Sequence, residues 1–120
     1  MAAPENLRIG HKWVRAFNAH DVDALVALYA DDATHTSPKI RALHPDTGGK
    51  LRGKSAIAAW WRDAIQRLPT LRYEATSFTA DENRVFVEYL RKVQGEPDLP
   101  VAEVFEVISG KIVASRVYHG

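Results

Sequence analysis

A chain of 120 residues, 46% hydrophobic and 26% charged, has the make-up of one folded domain over residues 1–120 with room for a core. Sixteen basic against fifteen acidic residues leave a net charge of +1, with no Lys/Arg cluster and no aromatic–basic stripe, so no nucleic-acid partner is expected. The absence of cysteine excludes disulfide scaffolds, zinc ribbons, iron–sulfur ligation and thiol catalysis together. Met1-Ala2-Ala3-Pro4-Glu5-Asn6 lacks the basic and apolar regions of a signal peptide, and no apolar run reaches membrane-spanning length. A cytoplasmic location and no membrane partner are the expectation.

In chain order, Leu7, Ile9, Trp13, Val14 and Phe17 at near 3.6-residue spacing predict a helix over residues 5–19. Asp21 reads as the N-cap of a second helix with Ala24, Leu25, Leu28 and Tyr29 as its apolar stripe, ending at Asp31-Asp32. Residues 33–37 form a short extended segment stopped by Pro38. Residues 39–53 hold three of the seven glycines and read as a long loop or loose hairpin, a flexible rim over a pocket mouth. Thr47-Gly48-Gly49-Lys50 lacks the spacing of a phosphate loop. A third helix follows over residues 54–67, with Ile57, Trp60, Trp61, Ala64 and Ile65 apolar. The period then becomes strand-like: candidate strands are 71–79, 84–93, 100–108 and 111–119, with Ser109-Gly110 a tight-hairpin signal. Three helices followed by a meander of strands predict an α+β fold, a mostly antiparallel curved sheet with the helices on its inner face enclosing one pocket.

Carboxylates interrupt two of these strands. In 85–90 (Val-Phe-Val-Glu-Tyr-Leu) Glu88 is the one charge, and in 101–108 Glu103 and Glu106 break an apolar run. Glu103 and Glu106 point to opposite faces because strand side chains alternate. A buried carboxylate is costly unless paired or protonated, so an inward one is either tied to a base such as Arg91 or Arg116 or kept for chemistry.

The segment running from Trp13-Val14-Arg15-Ala16-Phe17 to Tyr29-Ala30-Asp31-Asp32-Ala33-Thr34 resembles the opening of the nuclear-transport-factor-2-like superfamily, in its ketosteroid-isomerase and SnoaL-like polyketide-cyclase branches. Gly53-Lys54-Ser55-Ala56-Ile57 with Trp60-Trp61 is similar to the third-helix signature, and the segment 102–113 to the final hairpin. The resemblance implies a cone-shaped, cystatin-like fold with three N-terminal helices, a fold that hosts isomerases, cyclases, dehydratases, hydrolases and binding proteins alike. The positions of the isomerases' helix-one Tyr, Asp base and penultimate-strand acid fall on Trp13, Ser37 and Glu103. Ser37 cannot abstract a carbon-bound proton unaided, so steroid isomerisation by that route is not expected.

By the same resemblance Glu103 faces inward. Parity then places Phe86, Glu88 and Leu90 inward on the neighbouring strand, and Val113, Ser115, Val117 and His119 on the last. His35 shares its face with Ser37. The expected acid–base groups are Glu103, Glu88 and His35. The expected substrate contacts are Trp13, Tyr29, Ser37, Trp60, Trp61, Phe86, Phe105 and His119, and the facing of Tyr73, Tyr89 and Tyr118 stays open. No His pair shows ligand spacing with a carboxylate, so no metal is expected. The function expected is cofactor-free acid–base chemistry on an apolar cyclic or carbonyl metabolite, or alternatively binding of such a molecule without catalysis. A homodimer is expected through the outer sheet face, with Val85, Val87, Tyr89, Ala102 and Val104 at its centre.

Overall fold

Asn6, Gly10, Trp13 and Phe17 recur three or four residues apart and form the buried side of helix α1 (Ala2–Asn18). The computed structural model describes residues 2–120; Met1, the start of the stretch read for a leader, lies outside them. A Cβ on Gly10 would lie 2.8 Å from Cγ1 of Val85, so the glycine lets α1 settle directly onto the sheet. At the end of the helix, Asn18 imitates a strand partner. Its Nδ2 donates to the Tyr73 carbonyl and its Oδ1 accepts from the Tyr73 N–H, both at 2.8 Å.

Asp21 caps α2 (Val22–Val26), its side chain accepting from the Ala24 N–H. That helix is shorter than the sequence period predicts. Strand β1 (Tyr29–Thr36) already begins at Tyr29, and the Leu28 carbonyl accepts from the Ile112 N–H at 2.9 Å. Pairing with a distant strand overrides the helical spacing, so Tyr29 is a buried strand residue rather than part of a helix stripe. Residues 39–53 are likewise ordered into elements. Ser37 caps α3 (Pro38–Leu43), a 3-10 turn spans Pro45–Thr47, and β2 (Lys50–Arg52) pairs antiparallel with β1. The rim is thus a short helix and not a loose loop.

Helix α4 (Lys54–Arg67) buries Ile57, Ala58, Trp61 and Ala64. The remaining strands are β3 (Arg72–Ala80), β4 (Arg84–Lys92), β5 (Leu99–Ile108) and β6 (Lys111–His119), within a residue or two of expectation. Ser109 and Gly110 both take positive φ (51° and 77°) at the β5–β6 turn, as a tight hairpin requires. The sheet order is β2-β1-β6-β5-β4-β3, mixed because β1 runs parallel to β6 while every other pair is antiparallel. α1 crosses β3 and β4, and α4 lies against β1 and β2. Between helices and sheet sits an aromatic core. Phe17 stacks on Tyr73 (3.9 Å between ring centres), Tyr73 on Tyr89 (4.1 Å), and Trp13 meets Phe105 at 5.0 Å.

The parity expected of β4 is reversed. Val87 lies opposite Glu103, Val85 opposite Phe105 and Tyr89 opposite Val101, so Val85, Val87 and Tyr89 face the core. Phe86 and Glu88 are exposed on the outer face. The physical reason is the count of charges: the set of Val85, Val87 and Tyr89 carries one, Arg91 at its end, whereas the other set carries Arg84, Glu88 and Lys92. Val85, Val87 and Tyr89 therefore cannot belong to an outer apolar face. On β6 a bulge opposite Glu106 and Val107 inserts one residue, and Ile112 takes the buried place expected of Val113.

Candidate active site

Glu103, near the middle of β5, is 1% exposed. Tyr89 on β4 donates its O–H to Oε1 at 2.8 Å, and among the described residues Oε2 has no hydrogen-bond partner. The bases that a structural ion pair would need are engaged elsewhere, Arg91 with Glu96 at 2.9 Å and Arg116 with Glu106. Burial raises the Glu103 pKa from an ordinary 4.5 to about 8, with the Tyr89 hydrogen bond working the other way. At neutral pH this carboxyl therefore carries a proton.

A second group is built from four elements. Trp13 Nε1 on α1 lies 3.1 Å from the Tyr29 hydroxyl, Tyr29 on β1 donates to Ser115 Oγ on β6 at 2.9 Å, and Ser115 Oγ lies 2.6 Å from His35 Nδ1. An indole N–H can only donate, and each buried hydroxyl proton needs an acceptor among these partners, which together set the direction of the chain. Tyr29 accepts from Trp13 and passes its one proton to Ser115; Ser115 in turn gives its proton to Nδ1. His35 is thereby held as the tautomer with its hydrogen on Nε2. Burial lowers its pKa from 6.5 to about 4, so it stays neutral near pH 7. Neutral His35 is a hydrogen-bond donor through Nε2 and not a base.

Glu103 and Tyr89 of the first group and Trp13 and His35 of the second line a cavity of about 330 Å³ between α1, α3, α4 and the sheet. Trp13, Phe17, Trp61, Tyr73 and Tyr89 wall its depth, and exposed Lys39, Leu43, Arg67, Glu96 and His119 mark where it opens to solvent. Of the expected residues, Glu103, His35, Trp13, Ser37, Trp60, Trp61 and His119 meet there. Ser37 is buried, and its Oγ accepts from the Lys39 N–H at 3.2 Å. Tyr29 and Phe105 lie fully buried outside the lining, Tyr29 acting through Ser115. Glu88 and Phe86 are on the opposite side of the sheet and take no part. Tyr89, Tyr73 and Arg91 are lining residues that the sequence reading left unplaced or turned outward. Once β4 is in register, all three follow from alternation and cross-strand pairing: Tyr89 and Arg91 are two apart, and Arg91 pairs with Tyr73. Among the described residues no three His, Asp or Glu side chains cluster as metal ligands would.

The model of the SnoaL-like domain family matches residues 11–115, which include every polar residue of this site except His119. The chain belongs to the SnoaL-like domain family. A SnoaL-like protein of unknown function from Burkholderia thailandensis is 29% identical, with a TM-score of 0.87 over 98% of this chain and 95% of that one. A putative ketosteroid isomerase from Kribbella flavida superposes with a TM-score of 0.80 at 17% identity, covering 98% of this chain and 79% of that one. A protein of unknown function with a cystatin-like fold from Methylobium petroleophilum gives 0.82 at 22% identity, over 100% and 78% of the two chains. Comparison with curated proteins gives no match. The α+β fold of this SnoaL-like domain is thus the cystatin-like, nuclear-transport-factor-2-like one, and the family includes enzymes. No helix among the described residues is long and apolar enough to cross a membrane.

Proposed function

We propose that this SnoaL-like domain is a small acid–base enzyme that moves a proton on an apolar cyclic or carbonyl compound, with Glu103 as the proton-transfer group. The observation that carries the reading is the buried carboxyl itself, oriented by Tyr89 through one oxygen and unpartnered at the other. With a pKa of about 8, roughly a tenth of Glu103 is ionised at pH 7, so both acid and base forms are accessible in one cycle. Neutral His35 presents Nε2–H to the substrate oxygen as negative charge develops there, while Glu103 takes a proton from the adjacent carbon or returns one. Trp13, Trp61 and Tyr73 supply the apolar walls that keep the ring in place and water out.

The test is exchange of α-protons of a panel of cyclic ketones in D2O, followed by ¹H NMR. Wild type is expected to accelerate exchange of at least one ketone by about 10²- to 10⁴-fold over Glu103→Gln. Equal rates with both proteins across the panel would favour a binding protein that holds its ligand without turnover.

We also propose a homodimer through the outer face of β4, β5 and β6. Phe86 (42% exposed) and Tyr118 (54%) flank Val104 and Ala102 there, ringed by Glu88, Glu106 and Arg116. Light scattering is expected to give twice the chain mass for wild type and a single chain mass for Phe86→Arg.

A further inference from the structure

We propose that the ligand of this cavity is an amphipathic carboxylate, an apolar ring or short chain whose anionic end is held at the mouth by Lys39 and Arg91. The inference rests on reading the cavity as the functional site and adds the class of molecule that enters it.

Arg91 is the central observation. Its residue is 91% buried, yet it lines the cavity and among the described residues meets only one carboxylate, Glu96 on the 93–98 turn, through a single nitrogen at 2.9 Å. A guanidinium has five N–H donors in a planar fork, so most of its donors are left for another acceptor. Lys39 on α3 reaches the same space, and among the described residues no carboxylate lies within ion-pair distance of it. The two cations share the cavity lining with His119 at the end of β6. After burial, Lys39 and Arg91 are the groups that disfavour its charged form.

The charges facing the cavity are therefore uneven. Lys39, Arg67 and Arg91 are cationic, with Arg67 held by Asp63 at 2.8 Å. Against them stand Glu96, and Glu103 which is largely protonated at neutral pH. A cationic mouth over an aromatic interior matches a molecule with one anionic end and an apolar body. The planar fork of Arg91 favours a carboxylate, which it can grip through two parallel hydrogen bonds. Such a ligand enters with its body toward Trp13, Trp61 and Tyr73, and its charge stays at the mouth, away from Glu103.

The probes are 2-naphthoate and its neutral isostere 2-naphthamide, titrated calorimetrically into the full-length chain. Naphthoate is expected to bind about ten- to hundredfold tighter, the range of a charge-assisted hydrogen bond. Lys39→Gln, at an exposed position, and Arg91→Gln are each expected to reduce that preference at least severalfold, and high salt to reduce it in wild type. Arg91→Lys, which keeps the charge and loses the fork, is expected to fall between wild type and Arg91→Gln. Equal or tighter binding of naphthamide to wild type would overturn the inference while leaving the acid–base reading intact. Binding of neither probe at millimolar concentration would overturn it as well. A retained naphthoate preference with no Glu103-dependent exchange would instead remove the acid–base reading and keep this one.

Discussion

Replacing Glu103 with Gln tests whether burial holds this carboxyl in its protonated form, and stability rather than turnover is the sharper readout. In the folded chain Glu103 titrates at about 8, against an ordinary 4.5. Between those values the native state keeps a proton that the unfolded chain has released, so this residue's contribution is complete below about pH 4.5 and is lost as pH rises through 8. At about 1.4 kcal/mol for each pH unit, the separation is worth about 5 kcal/mol, a large part of a small domain's total stability. His35 has the opposite sense. Its folded pKa of about 4 lies below 6.5, so stability falls as pH drops from 6.5 toward 4. From about 4.5 to 6.5 the two slopes cancel, and above 6.5 Glu103 alone remains, costing wild type about 2 kcal/mol by pH 8. Glutamine keeps the shape and an acceptor for Tyr89 but has no charge to desolvate. The difference in unfolding free energy between Glu103→Gln and wild type, from urea titrations followed by tryptophan fluorescence, should therefore move in favour of the variant by about 5 kcal/mol from about pH 4 to pH 9. A difference that stays constant within about 1 kcal/mol across that range would refute the burial argument, because it would mean that native Glu103 titrates like an exposed acid.

Tyr89→Phe removes the one hydrogen bond that favours ionised Glu103, so the carboxyl pKa should rise further, read from the ¹³C shift of the labelled carboxyl; a fall would contradict the assigned donor. In wild type, ¹⁵N NMR of His35 near neutral pH should show the proton on Nε2 and none on Nδ1, and a protonated Nδ1 would reverse the direction assigned to the Trp13–Tyr29–Ser115 chain. Gly10→Ala should lower stability by about 1–3 kcal/mol in thermal unfolding, although alanine is the better helix former by about 1 kcal/mol, because its methyl meets fully buried Val85 at 2.8 Å. A higher melting temperature in that variant would mean that α1 can lift off the sheet without loss.

Alternation and turn chemistry made β3 to β6 legible almost to the residue, and Glu103 stood out because a carboxylate breaks an apolar run. The same alternation could not say which face of β4 turns inward. That depends on register against β5, a pairing between distant residues that leaves no local mark beyond the lack of charge in Val85-Val87-Tyr89. One reversal of parity exchanged Glu88 and Phe86 for Tyr89 and Arg91, and so hid both the group that orients Glu103 and the cation at the mouth. Tyr29 was misplaced for a related reason: Leu25, Leu28 and Tyr29 fit a helical stripe as well as the start of a strand, and the decision came from the parallel partner β6.

Parity turned Ser115 inward, where it is fully buried, but its role had no signal, since that exists only where β1 and β6 lie side by side and bring His35 within reach of it, 80 residues away. That pairing also changes the meaning of Trp13. Taken by position, an indole where the resemblance implies a tyrosine looks like the loss of a group that touches the substrate oxygen. In the folded chain its N–H is directed at Tyr29, and because an indole cannot accept while each buried hydroxyl proton needs an acceptor, that contact orients the hydroxyl of Tyr29, then that of Ser115, then the tautomer of His35. A hydroxyl at position 13 could donate or accept and would leave the direction of the chain open. Trp13 thus positions His35 through two intervening hydroxyls, and in the proposed reaction the polar work expected of helix one falls to His35 instead.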